Sequence, residues 1–115
     1  MGATVWKILS KAAWAQALAD GLFRGAPVDL ADGFIHFSAD DQVRETATKH
    51  FAGQPDLLLV GFDADALGPT LKWEPSRGGA LFPHLHGPLD PALAVEVVDL
   101  PLGPDGRHLF PEKIP

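Results

Sequence analysis

Apolar residues along this chain recur at two spacings, the alternation of strands and the three-to-four step of helices. Val5-Trp6-Lys7-Ile8-Leu9 predicts a first strand, with Lys7 on the opposite side to Trp6 and Ile8. Ser10 is an N-cap, and Trp14, Ala17 and Leu18 form one stripe on a helix over 11–20 that Gly21 closes. Arg24-Gly25-Ala26-Pro27 is expected as a loop. After the Asp32-Gly33 turn, Phe34 to Phe37 predicts a second strand, interrupted by His36, with Phe34, His36 and Ser38 on one face. Ser38, with Asp41 three residues on, is expected to open a second helix over 39–52. Asp56 to Asp63 holds a continuous apolar run, the pattern of a strand covered on both faces. Asp63 to Gly68 is a helical turn, Leu71 to Glu74 a short strand, Pro75 to Gly79 a loop, Ala80 to Phe82 an apolar stretch and Pro83 to Pro88 a constrained, extended segment. Ala94 to Leu100 alternates as a last strand. The tail over 101–115 is rich in Pro and Gly, yet it carries Leu102, Leu109, Phe110 and Ile114 and is expected to dock.

About six short strands with two helices in the N-terminal half point to an α+β class rather than alternating α/β. The 115 residues suit one domain, 1–115. Net charge is −6, from 9 Lys and Arg against 15 Asp and Glu, which argues against a binder of long nucleic acid. Without cysteine, disulfides, thiol nucleophiles and thiolate-bound metals are excluded. Met1 to Lys7 lacks the pattern of a signal peptide, and the longest apolar run, Leu57 to Phe62, is too short to span a bilayer. The expectation is a cytoplasmic protein without a membrane partner; its oligomeric state is left open.

Four groups could carry chemistry. His36 interrupts a core strand, and such a polar insertion needs a partner. It reads as a base or anion ligand beside Ser38, or as a half-buried imidazole bonded to backbone with Ser38 only capping a helix. His84 and His86, two apart in an extended segment, point the same way and could share a ligand or a metal, with His36 or Glu74 as a third ligand. Trp73-Glu74-Pro75-Ser76-Arg77-Gly78-Gly79 offers a stacking plane, a carboxylate and a phosphate fork, the make-up of a nucleotide-pocket rim or of a surface turn with an ion pair. Lys7 and Arg24 are single cations among apolar neighbours and read as solvated or snorkelling side chains.

Trp6-Lys7-Ile8-Leu9, Phe23-Arg24-Gly25, Asp32 to Ser38, Trp73-Glu74-Pro75 and Gly79 to Leu89 together resemble the bacterial family called domain of unknown function 952. More distantly, Ile35-His36-Phe37-Ser38, Ala47, Leu57 to Asp63 and Gly78 to Phe82 are similar to the second half of bacterial RNA 2′-phosphotransferases. That likeness implies an ADP-ribosyltransferase-like split β-sheet that binds NAD or ADP-ribose in its cleft, lined by Lys7, His36 and Ser38. His36 and Glu74 are the catalytic candidates. Lys7, Arg24, Ser38, Trp73, Arg77, His84 and His86 are the ligand-binding candidates, with no metal site. The usual catalytic Glu would fall near Gly79 or Ala80, so a transferase would have to work without it. The alternatives are a non-catalytic ligand-sensing or protein-interaction domain, and a histidine-based metal-binding protein.

Overall fold

The computed structural model describes residues 3–115; Met1 and Gly2, the first residues of the stretch that lacks a signal-peptide pattern, lie outside the described residues, as does the side chain of Arg77. The architecture is α+β. Its six strands are β1 (Thr4–Ser10), β2 (Ile35–His36), β3 (Leu57–Asp63), β4 (Leu71–Pro75), β5 (Leu81–Leu85) and β6 (Ala94–Leu100). Four helices are described, α1 (Lys11–Asp20), α2 (Pro27–Asp32), α3 (Val43–His50) and α4 (Ala64–Leu67). The strands form two antiparallel sheets, ordered β1-β3-β6 and β2-β5-β4.

The first sheet is apolar on both faces. Alternation sends Val5, Leu9, Leu58, Val60 and Phe62 to one side, where Trp14 and Ala17 of α1 join Ile35, Phe37 and Leu85 from the second sheet region. Trp6, Ile8, Leu57 and Leu59 go to the other side, under Val43 and Ala47 of α3 and Ile114 of the tail. The unbroken apolar run of β3 follows from its place in the middle of this sandwich, with β1 on one flank and β6 on the other. Ile114 is buried, and the Arg44 guanidinium donates to the carbonyls of Ile114 and Pro115.

The two sheets meet at one point. Trp6 and Ser38 exchange backbone hydrogen bonds of 2.8 and 2.9 Å, and Phe37 N–H donates to the Pro83 carbonyl at 2.9 Å. This crossing corrects the expected strand over 34–37. Ladder pairing with β5 ends at His36: Phe37 still donates to Pro83, which as a proline has no N–H to return, and Ser38 turns to pair with Trp6 of β1. Ser38 is therefore extended and does not start a helix; α3 begins at Val43, after a turn in which the Gln42 side chain accepts from Ala39 N–H.

The expected loop after Arg24 is also corrected, giving three helices in the N-terminal half where two were expected. Pro27 opens α2, Asp29 accepts from Ala26 N–H at 2.7 Å, and Gly33, with φ of 87°, ends it. Its polarity is inverted. Val28 and Leu30 are 57% and 64% exposed, whereas Asp29 is buried, so the usual apolar stripe is absent.

Candidate functional site

Lys7 lies on the same pleat face as Val5 and Leu9, which makes it a core position. It is only 6% exposed, which corrects the snorkelling reading. A buried ammonium requires a counter-charge. Asp29 supplies it, with carboxylate oxygens 3.0 and 3.1 Å from Nζ, and the third donor goes to the His36 carbonyl at 2.9 Å. All three donors of Lys7 are thereby engaged.

Asp29, 1% exposed, is the hub. Besides Lys7 and Ala26 N–H, it accepts from His36 N–H at 3.0 Å and from His36 Nδ1–H at 2.7 Å. Burial by itself would push its carboxyl up, but the Lys7 ammonium and the His36 and Ala26 hydrogen bonds outweigh this and hold it below the usual carboxylate range. On the far side of the imidazole, His36 Nε2 lies 3.0 Å from Asp32 Oδ2.

The second half of the site comes from β4 and β5. His84 lies on β5 and His86 just past its end, and both reach Oε1 of Glu74, at 2.9 Å from His84 Nδ1 and 2.7 Å from His86 Nε2. The hydrogen bonds from His86 and His84 hold Glu74 below its ordinary pKa, so it is the anionic acceptor and both rings donate. His84 is 3% exposed, and burial lowers its pKa against the pull of Glu74. Its Nε2 is buried without a hydrogen-bond partner among the described residues.

Phe34 joins the halves. Its ring stacks on His84 at 4.2 Å and leans on His36 at 4.7 Å and on His86 at 5.2 Å. The other side of this region opens into a cavity of about 210 Å³ lined by Arg24, Asp29, Leu30, Gly33, Phe34, Ile35 and Gly87. Arg24 makes no ion pair or hydrogen bond with any described residue.

Of the residues singled out in the sequence, His36, Glu74, His84 and His86 are brought together, and Arg24 borders the adjoining cavity. Lys7 reaches the site only through Asp29 and the His36 backbone. Ser38 does not share the face of His36: it is buried, and its hydroxyl pairs with Thr46 Oγ1 of α3 at 2.8 Å. Trp73 lies on the face of β4 opposite to Glu74. The Arg77 side chain lies outside the described residues. No group of three His, Asp or Glu among the described residues is arranged to hold a metal ion, and no described helix is long and apolar enough to cross a membrane.

Asp29, Asp32 and Phe34 were absent from the sequence-based candidates. A signal for Asp29 existed: Pro27-Val28-Asp29 is a helix start with an acid in its first turn, and the lysine in an apolar strand demanded a buried acid.

Solved structures share this fold. The X-ray crystal structure of protein CC0527 from Caulobacter crescentus is similar at 52% identity and a TM-score of 0.88, with 92% of this chain and 93% of that chain covered. The solution NMR structure of CC0527 is similar at 53% identity and a TM-score of 0.82, with 90% of each chain covered. No curated protein matches the chain in sequence. The model of a protein family of unknown function, DUF952, matches residues 8–98. The chain, with its histidine cluster set where two small sheets meet, belongs to the DUF952 family.

Proposed function

We propose that the cavity beside Phe34 and His36 binds a nucleotide of the NAD or ADP-ribose kind, in a split-sheet arrangement like that of the ADP-ribosyltransferases. The observation that carries this reading is the pairing of an unengaged guanidinium, Arg24, with an aromatic ring, Phe34, in one cavity next to a rigidly held imidazole. A guanidinium suits a phosphate, and an aromatic face suits a base. The imidazole supplies an oriented polar group because Asp29 fixes its ring.

The reading favours binding over transfer. Gly79 and Ala80 carry no carboxylate, and the accepting oxygen of Glu74 is shared by two histidines. The protein is then a small nucleotide sensor or carrier. Isothermal titration calorimetry with NAD and ADP-ribose tests this. Micromolar binding is expected for the wild type and loss of it for His36→Ala. Absence of binding to either ligand, or equal affinity in the variant, would reject the assignment.

A further inference from the structure

The two carboxylates on His36 are not equivalent. Asp29 is buried, and both of its oxygens are engaged by Lys7 and by groups of Ala26 and His36. Moving it would strand a buried ammonium. Asp32 has a side chain 49% exposed, and its only polar partner among the described residues is His36 Nε2. It is the last residue of α2, and Gly33, in the left-handed region, follows it. Nδ1 is committed to Asp29, and Nε2, on the side of the ring away from it, lies 3.0 Å from the half-exposed Asp32 carboxylate. The cavity that holds Arg24 borders Gly33 and Phe34, the two residues that link Asp32 to the strand of His36.

We infer that Asp32 is an internal stand-in for a ligand's phosphate, occupying the place at His36 Nε2 that a phosphate takes when the cavity is filled. A phosphate offers several oxygens and so can engage His36 and Arg24 together, which one carboxylate oxygen cannot. To enter, it displaces Asp32, and the chain remains closed in its absence. The inference rests on the nucleotide reading above and adds which atom is recognised and what opposes recognition. Removing Asp32 then removes both a competitor and a like charge, so phosphate-bearing ligands gain affinity.

The test is calorimetric titration of the full chain and of Asp32→Ala and Asp32→Asn with ADP-ribose, inorganic phosphate and adenosine, while the His36 ring resonances are followed by NMR. ADP-ribose affinity is expected to rise about tenfold in Asp32→Ala, with a smaller rise in Asp32→Asn and none for adenosine. If the wild type and both variants bind ADP-ribose equally, the stand-in is refuted and the nucleotide cleft survives. If ADP-ribose fails everywhere while phosphate shifts the His36 resonances in Asp32→Ala, the stand-in survives and the nucleotide reading falls. If neither ligand disturbs His36 in Asp32→Ala, the inference is wrong. Asp32→Asn keeps the shape of the side chain, so a fold defect confined to Asp32→Ala does not spoil the comparison.

Discussion

The two sheets of this small protein are built on opposite principles. Sheet β1-β3-β6 has seven-residue strands; β1 and β3 are covered on both faces, and β6 at the edge is covered on one. Sheet β2-β5-β4 is made of shorter strands, and one face carries His36, His84, His86 and Glu74. The first sheet is held by apolar contact, which is insensitive to protonation. The second is held in part by imidazoles and carboxylates, whose bonds depend on it. One residue of the first sheet crosses the divide: Lys7, whose ammonium ties α2 and β2 to β1 through Asp29 and the His36 carbonyl. A rigid platform with a titratable surface fixed to it is a sound layout for a binding site.

The tie should be the most costly point to break. Asp29→Ala leaves the Lys7 ammonium buried without a counter-charge, and a loss of ~3–5 kcal/mol is expected in urea unfolding. The same change frees His36 from its fixed orientation. If the variant keeps wild-type stability, the tie does not matter and apolar packing with the Trp6–Ser38 backbone bonds is enough to join the two sheets.

Less costly is a change inside the apolar sheet. Gly61 faces Trp6 across the ladder, and a methyl group there would lie 2.7 Å from the Trp6 ring. The indole is also anchored by a hydrogen bond from Nε1 to Asp40, so it has little freedom to retreat. Gly61→Ala should cost about 1–3 kcal/mol by overpacking, read from the same unfolding curves. This loss should not vary with pH between 5 and 8 (roughly the imidazole range), since no histidine is involved.

The smallest effect, and the sharpest contrast, concerns acid. Burial depresses the pKa of His84 in the folded chain, so between that lowered value and the ordinary ~6.5 the unfolded state binds more protons. Stability therefore rises with pH across this window and falls as the pH drops below about 6.5. His84→Phe should flatten that slope. Hydrogen exchange should place the acid-induced loss of protection at Ile35, His36 and Leu85, with β1 and β3 unaffected. Uniform loss over both sheets would mean that they respond as one unit.

Much of the platform was legible in the amino-acid sequence. The apolar run of β3, the Ser10 cap and Gly21 stop of α1, and the alternation of β6 reflect local preference and burial acting in the same direction. The joint itself was not. α2 buries an acid and exposes Val28 and Leu30, so apolar periodicity points away from a helix. Ser38 has the residue type of a cap, but pairing with Trp6 competes for its backbone and wins.

The sequence by itself determined the α+β class, the family and the presence of histidine and carboxylate on short strands near glycine-rich turns. Spacing also determined that His84 and His86 face one way, because side chains two apart on an extended chain must. Only the tertiary structure decided which charges meet. Lys7, Asp29 and His36 lie up to 29 positions apart, and no local rule links them. They are joined because a buried ammonium must find a buried anion, and where that anion sits depends on how α2 packs against the strands.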